Sequence, residues 1–480
     1  MIRYLRARWS SEDGYRDFLV VAFPLILSTA TWSIQHFLDR VFLTWYSTEA
    51  LAASLPAAMT SFIVMAFFLG TAGYVNTFVA QYSGAERPHR IGPSLWQGGY
   101  LALLSGVAGL GCAAGSETLF DFIGHNAAVR GDEIAYFRVL CYGVFPLVLS
   151  SSLSCFYSGR GKTWMILAVS TVSMIANIIL NYGLIFGNWG LPEMGIRGAG
   201  WATNLATLLG AALYLGLLMQ KRYRRDFATL SGWRFDRELF ARLMRFGAPN
   251  GISFMLDISA LSLFILIMGR VGTLELTATN LAFNINGLAF MPLIGAGIAV
   301  STLVGQHLGQ NRPLAAERAT WSGVHLAAAY MGIMSLAYFL VPRLFLVAYG
   351  VGASDDFEAA EDLAVILLRF VAIYCLFDTF FIILTAALKG AGDTRFVMYM
   401  SVILGLVLLV IPSFISQRYF DGGVYELWIF LCAYVMTGGI VFYFRFRGGK
   451  WKSMRVIEDA PPPAPQIEEP RMMGEATAGL

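Results

Sequence analysis

Charged side chains are scarce in this sequence. Asp, Glu, Lys and Arg make up 14% of its 480 residues, whereas 57% of the residues are hydrophobic. Soluble domains carry about 25% charged residues, so this composition excludes an ordinary soluble globular protein. The 49 glycines are typical of transmembrane helices that pack closely against one another. We therefore predict an all-α integral membrane protein.

Residues that usually mark an enzyme are also few. The five cysteines lie in apolar runs without paired spacing, and the five histidines show no metal-ligand spacing. The sequence GRGKTW at 159–164 is too short for a nucleotide-binding loop and lacks the strand that precedes such a loop. We expect no enzymatic activity, no cofactor and no nucleic-acid partner.

Apolar runs of about 20 residues, long enough to cross a bilayer, occur twelve times. The first six cover about 17–38, 54–80, 94–115, 134–157, 163–187 and 197–219. The second six cover about 243–268, 279–305, 319–341, 362–387, 395–416 and 424–446. This pattern predicts two six-helix lobes, at 1–220 and 243–447, joined by a cytoplasmic linker at 221–242. Residues 448–480 are rich in Pro, Glu and Ala, which predicts a disordered cytoplasmic tail.

The distribution of Lys and Arg predicts which side of the membrane each loop occupies. Both termini and the loops on their side carry 26 of these residues, and the loops on the other side carry 8. Basic residues accumulate on the cytoplasmic side of membrane proteins. We therefore expect both termini in the cytoplasm and a multi-pass protein in the bacterial cytoplasmic membrane.

An internal repeat relates the two predicted lobes. Gly70–Pro88 and Gly295–Pro313 share eight of nineteen residues without a gap, at an offset of 225 residues. The same offset relates Pro24 to Pro249, and GRGKT at 159–163 is echoed by GAGDT at 390–394. Two parallel six-helix repeats are an architecture of transporters, whose substrate site lies between the halves. The sequence thus predicts two pseudo-symmetric bundles of six transmembrane helices.

The second half carries two carboxylates deep in predicted spans. Asp378 lies near the middle of span 10 and Asp257 in span 7, although an ionisable group at the bilayer centre costs at least about 2.5 kcal/mol. Tyr374 lies one helical turn before Asp378, where its hydroxyl could bond the carboxylate or a bound ion. Two carboxylates in one pocket would repel each other, which favours a shared proton or a bound cation. The alternative is a carboxylate that only ties neighbouring helices together.

The first half has a different set of polar residues. Asp39 lies near the outer end of span 1 beside Arg40, and these two residues could form an exposed interfacial pair. Asn177 and Asn181 form one stripe on span 5, which either bonds a neighbouring helix or lines a hydrated pocket with Asp39.

Two prolines lie inside predicted helices. Pro24 is in span 1 and Pro249 is in span 7, eight residues before Asp257. A proline inside a helix frees a backbone carbonyl, so both positions are candidate bends or hinges.

With these residues the sequence resembles the multidrug and toxic compound extrusion (MATE) family, from near its N-terminus to about residue 447. The first-half motifs are Pro24 with Asp39, ALAA at 50–53, VAQYSGAERP at 79–88, and NIILNYGLIFGNWG through MGIRGAGWAT at 177–203. The second-half motifs are GAP at 247–249 with Asp257, VGQHLGQNRP at 304–313, and Tyr374 with Asp378 before ALKGAGDT at 387–394. Each motif is weak alone, and their common order and spacing are specific. The sequence is most similar to the NorM-like branch.

The resemblance implies twin helix bundles with alternating access and export of organic cations and drugs, in exchange for Na⁺ or H⁺. It implies a cation site at Asp257, Tyr374 and Asp378, whose two carboxylates are candidates for binding Na⁺. It further implies a proton, cation or substrate site in the first lobe at Asp39, Asn177 and Asn181. Some relatives have Asp where this chain has Asn181, which weakens coupling through the first lobe alone. We expect a monomer whose partners are small organic cations and membrane lipid.

The nearest alternative is a flippase of the same superfamily that moves a lipid-linked saccharide or another amphiphile. Such a protein is expected to have a more cationic cavity, whereas the deep charges of this chain are acidic. Acidic, aromatic-lined cavities suit organic cations, through charge pairing and cation–π contacts. An antiporter is therefore the preferred prediction.

Overall fold

The computed structural model of the chain describes residues 8–9, 14–123, 127–347 and 355–458. Within these ranges the chain forms helices and short connections, and no strand is present. The part of the predicted disordered tail at residues 459–480 lies outside the described residues.

Among the described residues from 14 to 218, the first lobe contains nine α-helices. They are α1 (Tyr15–Tyr46), α2 (Thr48–Gly73), α3 (Val75–Gly84), α4 (Ile91–Ala114), α5 (Ser116–Ile123), α6 (Ala127–Tyr142), α7 (Val144–Ser158), α8 (Trp164–Phe186) and α9 (Ile196–Leu218). Local chemistry fixes several ends. Ser47, for example, caps α2 by accepting a hydrogen bond from the Ala50 amide at 3.0 Å. The linker contains one short helix, α10 (Lys221–Asp226).

In the described ranges 237–347 and 355–447, the second lobe contains eight α-helices. They are α11 (Arg237–Val271), α12 (Thr273–Gly309), α13 (Pro313–Leu340), α14 (Pro342–Leu346), α15 (Asp355–Ala391), α16 (Thr394–Leu404), α17 (Ile411–Tyr419) and α18 (Val424–Arg447). A π-helical turn, Gly405–Val410, joins α16 to α17. The Asp236 side chain caps α11 by accepting from the Leu239 amide at 3.0 Å. The last six residues of the predicted linker, 237–242, therefore belong to this helix.

The twelve-span prediction agrees with the helices. In the described part of the chain, ten spans are long and apolar enough to cross a membrane. Helices α6 and α7, bent by 41° at their junction, form an eleventh if they count as one span. The 24-residue helix α4 corresponds to the predicted third span. The fold is thus an all-α membrane fold, as predicted.

The repeat is visible in the backbone as well as in the sequence. Glu86 and Asn311, 225 residues apart, both adopt left-handed backbone conformations, with φ of 56° and 62°. The residues that follow them, Arg87 and Arg312, have nearly identical φ values of −112° and −115°. Each then leads into a helix that begins with proline. The two copies therefore form the same turn.

Each copy of the repeat also contacts the other lobe. The Gln81 Nε2 atom donates a hydrogen bond to the Gly390 carbonyl at 3.1 Å, and Gln306 Nε2 donates to the Gly159 carbonyl at 2.8 Å. Gln81 and Gln306 are equivalent positions of the 225-residue repeat, and their acceptors belong to the second pair of echoed motifs. We call these two equivalent contacts between the lobes, Gln81 with Gly390 and Gln306 with Gly159, the seam.

Glycine permits the close approach at the seam. A Cβ atom at Gly84 would lie 2.0 Å from the Gln306 carbonyl oxygen, and one at Gly309 would lie 2.3 Å from the Gln81 carbonyl oxygen. Both neighbours are backbone atoms that cannot move aside independently of their helices. Gly84 and Gly309, which are equivalent positions of the repeat, are therefore required by contact between the lobes.

We expect Gly84→Ala to separate the lobes at the seam and to destabilise the protein by about 1–3 kcal/mol, as overpacking of a tight interface does. The thermal unfolding midpoint of the purified protein measures this effect. Gly73→Ala is the control, because a Cβ atom there would meet nothing within 4 Å. Equal midpoints for the two variants would contradict a tight seam.

The segment after α18 differs from the prediction. Lys450–Ser453 forms a short 3₁₀ helix, and Trp451, Val456 and Ile457 are buried. The prediction of disorder from residue 448 is therefore wrong for residues 448–458. The Trp451 ring stacks on Phe446 with a centroid separation of 4.8 Å, so apolar burial holds this segment against the bundle.

Candidate functional site

The first-lobe candidates lie together in the structure. Asp39 of α1 is buried, and its Oδ1 atom accepts a hydrogen bond of 2.5 Å from Asn181 Nδ2 of α8. The same Nδ2 lies 3.0 Å from the Asn177 Oδ1 atom, and Asn177 Nδ2 donates to the Thr203 hydroxyl of α9 at 3.4 Å. The Asn181 Oδ1 atom is buried without a hydrogen-bond partner. A bound cation or proton donor would satisfy that oxygen.

The structure distinguishes the two interpretations of Asp39, an exposed pair with Arg40 or a carboxylate grouped with the asparagines of span 5. Arg40 points across to α12, where its Nη1 atom donates to Asn284 Oδ1 at 3.4 Å, and it makes no ion pair with Asp39. The nearest basic group is His36, whose Nδ1 atom lies 3.9 Å from Asp39 Oδ2. Asp39 is thus an interior carboxylate of a polar pocket, and the exposed interfacial pair is excluded.

Asp378 is buried in the second lobe, on the same helix as Tyr374. Only 7% of Asp378 and 4% of Tyr374 is exposed. The Tyr374 hydroxyl accepts a hydrogen bond of 3.3 Å from Asn286 Nδ2 of α12. The suggested hydrogen bond from Tyr374 to Asp378 is not formed here, although the Tyr374 hydroxyl lies within electrostatic range of the Asp378 carboxylate. Within the described residues, Asp378 has neither an ion pair nor a hydrogen-bond donor.

Asp257 of α11 has more partners. The hydroxyls of Ser401 on α16 and Tyr434 on α18 lie beside its carboxylate, and the charge of Lys389 acts on it. Its Oδ1 atom is nevertheless buried without a hydrogen-bond partner. Lys389 is therefore part of the electrostatic surroundings of Asp257.

Neither carboxylate of the second lobe is among the groups that act electrostatically on the other, so the expected direct repulsion is absent from this structure. Tyr434 instead lies beside Asp257 and within electrostatic range of Asp378. Its phenol is buried, and its oxygen can bond a carboxylate or contact a cation. Sequence reasoning missed Tyr434 because one tyrosine in an aromatic-rich helix gives no distinct signal.

An aromatic cluster joins the lobes near the first-lobe pocket. Trp32 of α1 lies 6.1 Å from Phe62 of α2, and Phe62 lies 6.1 Å from Phe254 of α11, measured between ring centroids. Trp32 also lies 5.2 Å from the His36 ring, beside Asp39. Sequence alone does not separate such rings from lipid-facing aromatics. Together these rings and the carboxylate can hold an organic cation through charge and cation–π contacts.

Comparisons with known proteins find similarity along most of the chain. The family model described as MatE matches residues 24–183 and 249–415. The chain is 26% identical over 451 residues to "Probable multidrug resistance protein NorM" of Brucella suis, covering 92% of this chain and 94% of that protein. It is 28% identical over 394 residues to "Multidrug resistance protein PmpM" of Pseudomonas aeruginosa, covering 80% of each.

Solved structures share the fold. A multidrug resistance MATE family transporter in an outward-facing conformation superposes with a TM-score of 0.82 at 18% identity, covering 93% of this chain and 98% of that one. A MOP superfamily transporter from Pyrococcus furiosus, whose description reports a binding pocket of reversed polarity, gives a TM-score of 0.80 at 19% identity, with the same coverage.

Proposed function

The chain belongs to the MatE family of multidrug efflux transporters, and from this premise we propose that it is a cation-coupled antiporter. In this proposal Na⁺ or H⁺ binds the carboxylates of the lobes, and organic cations are exported in exchange. Cation and substrate each favour a different arrangement of the lobes, so each biases the same equilibrium.

The observation that carries the proposal is the state of Asp378. A buried carboxylate without a donor or ion pair is costly, and a proton or Na⁺ would remove most of that cost. Asp257 adds a buried oxygen without a hydrogen-bond partner, and Tyr434 can contribute its hydroxyl to either carboxylate. We infer that Asp257, Tyr374, Asp378 and Tyr434 form the cation site of the second lobe.

The first-lobe pocket has a separate role in this proposal. Asp39 lies beside the aromatic cluster that joins the lobes, and the hydrogen bonds of Asn177 and Asn181 hold its carboxylate in place. A flat organic cation that packs against the face of Trp32 or Phe62 would interact with that ring and with the Asp39 charge. We infer that this pocket binds the substrate or a proton that competes with it.

Orientation and motion follow from the same reasoning. The basic side of the sequence carries both termini, so we infer that the seam closes the cytoplasmic side. Pro24 and Pro249 lie inside α1 and α11, and we propose that the carbonyls they free allow these helices to bend as the lobes move. The arrangement needs one chain, which supports a monomer.

The test is efflux of ethidium from preloaded cells that express the protein, with Na⁺ and pH gradients imposed separately. Efflux that follows one gradient and stops when that gradient collapses would support antiport and name the ion. Absence of efflux under both gradients, with the protein present in the membrane, would favour the flippase alternative. Scrambling of a fluorescent lipid-linked saccharide in proteoliposomes tests that alternative directly.

A further inference from the structure

The segment from Lys450 to Glu458 crosses the face of the protein on which the seam lies. It leaves α18 in the second lobe and is fixed there by Trp451 and by an ion pair of 2.6 Å between Lys452 and Glu317 of α13. It then reaches the first lobe, where the Val456 amide donates to Gln81 Oε1 at 2.9 Å. We call residues 450–458 the C-terminal strap.

The strap ends in a carboxylate held by three side chains. Glu458 Oε1 lies 3.2 Å from Arg90 Nε, and Glu458 Oε2 lies 2.5 Å from Arg242 Nη1 and 2.7 Å from the Tyr82 hydroxyl. Arg87 adds a hydrogen bond of 3.1 Å to the Glu458 backbone carbonyl. Charge-assisted hydrogen bonds of this geometry are the strong ones in proteins.

These donors come from different lobes. Tyr82 ends α3 and Arg90 precedes α4 in the first lobe, whereas Arg242 lies in the first two turns of α11 in the second. We propose that Arg90, Tyr82 and Arg242 form a carboxylate-binding site shared by the two lobes, that Glu458 is its ligand, and that its occupation holds the lobes closed on this face. The role in transport rests on the proposed function, but the site itself does not.

The strap and the seam share one side chain, which couples them. Gln81 accepts the Val456 amide through Oε1 and donates to the Gly390 carbonyl through Nε2. If the lobes separate at the seam, Gln81 must leave Gly390, and Arg90 must move away from Arg242. One carboxylate can bridge these two arginines only while they stay close. Opening on this face therefore requires Glu458 to leave at least one of them.

The test measures the distance between the lobes on this face. Spin labels are attached at His89→Cys in the first lobe and Leu314→Cys in the second. Both residues are exposed, and they are related by the 225-residue offset of the repeat. Double electron–electron resonance then gives the distribution of distances in reconstituted full-length protein. Four of the five native cysteines are buried, and labelling of the unmodified chain shows whether any of them reacts.

We expect Glu458→Gln to raise the population of the longer distance about fivefold, because the partly exposed bridge between lobes loses its charge. Glu317→Gln is the matched control, since it breaks another ion pair of the strap that stays within the second lobe. Unchanged distances in Glu458→Gln would overturn the proposal. Equal opening in both variants would also overturn it, because general detachment of the strap would then be the cause. The distance measurement does not depend on transport, so failure of the efflux test would leave the result for Glu458→Gln intact.

The pH dependence of the site follows from its charges. Burial alone would raise the pKa of Glu458, but the Tyr82 hydrogen bond and the arginine charges outweigh burial and lower this pKa below its ordinary value. The groups that face it are Tyr82 from α3, Arg87 and Arg90 from the following turn, and Arg242 from α11, with Asp236 on the far side of Arg90.

A lowered pKa means that the carboxylate stays charged through neutral pH, and its contribution is lost only as pH falls below about 4.3. We expect the difference in distance distribution between the unmodified chain and Glu458→Gln to stay constant from about pH 8 to about pH 5.5. The same spin-label pair measures it. A difference that disappears within this range would show that Glu458 is not held as a charged ligand.

Discussion

Asp378→Asn is expected to reduce substrate efflux by about tenfold or more, because the amide keeps the shape of the carboxylate but cannot take up H⁺ or balance Na⁺. The substitution removes a buried charge for which the described residues supply no donor. Folding should therefore be preserved, and the thermal unfolding midpoint should be unchanged or raised. The measurement is the initial rate of ethidium efflux, normalised to the amount of protein in the membrane.

Thr379→Val is the matched control for Asp378→Asn. Thr379 is the next residue on α15 and is fully buried, but its hydroxyl donates to the Cys375 carbonyl of its own helix at 3.2 Å. We expect this variant to export at nearly the rate of the unmodified chain. Normal export by Asp378→Asn would show that the carboxylate only packs the lobe, and coupling would then have to lie at Asp39.

Asp39→Asn is expected to lower efflux by a similar factor, about tenfold, because the first-lobe pocket loses its negative charge. The amide oxygen of an asparagine can still accept the hydrogen bond from Asn181, so the fold should lose less than about 1 kcal/mol. Efflux rates at several ethidium concentrations separate weaker substrate binding, which raises KM, from a slower exchange step.

Arg40→Gln provides the control for Asp39→Asn. Arg40 is the neighbouring charged residue, but it is exposed and contacts only Asn284 among hydrogen-bonding side chains of the described chain. Its substitution should leave efflux almost unchanged. The two substitutions change the local net charge in opposite directions, so equal reductions of export would show a general disturbance of this part of α1 and not a specific role of the Asp39 carboxylate.

The sequence was sufficient to predict the helices and the first-lobe pocket, for simple physical reasons. Long apolar runs have few structures other than a spanning helix. Asn177 and Asn181, four residues apart, must lie on one helical face, and a buried polar face needs a partner such as Asp39. The spacing on α8 therefore made a polar contact of this face predictable, whereas the choice between Asp39 and another helix stayed open.

Contacts between distant segments could not be predicted in the same way. The repeat shows that Gln81 and Gln306 are equivalent, but equivalence alone does not place each residue against the other lobe. Tyr434 carries no charge and resembles the other aromatics of α18. The strap was misjudged because the proline-rich residues that follow it dominate the composition, although Trp451 and Val456 supply enough apolar surface for burial.

The most direct test of cation coupling is the substrate affinity of the purified protein as a function of Na⁺ concentration and pH. Tetraphenylphosphonium binding, measured by isothermal titration calorimetry, reports this affinity without any gradient. If cation and substrate bias one equilibrium in opposite directions, the Kd must rise with the concentration of Na⁺ or H⁺, and the Asp257→Asn, Asp378→Asn double variant must lose that dependence. A Kd that is independent of both ions in the unmodified chain would contradict cation-coupled antiport.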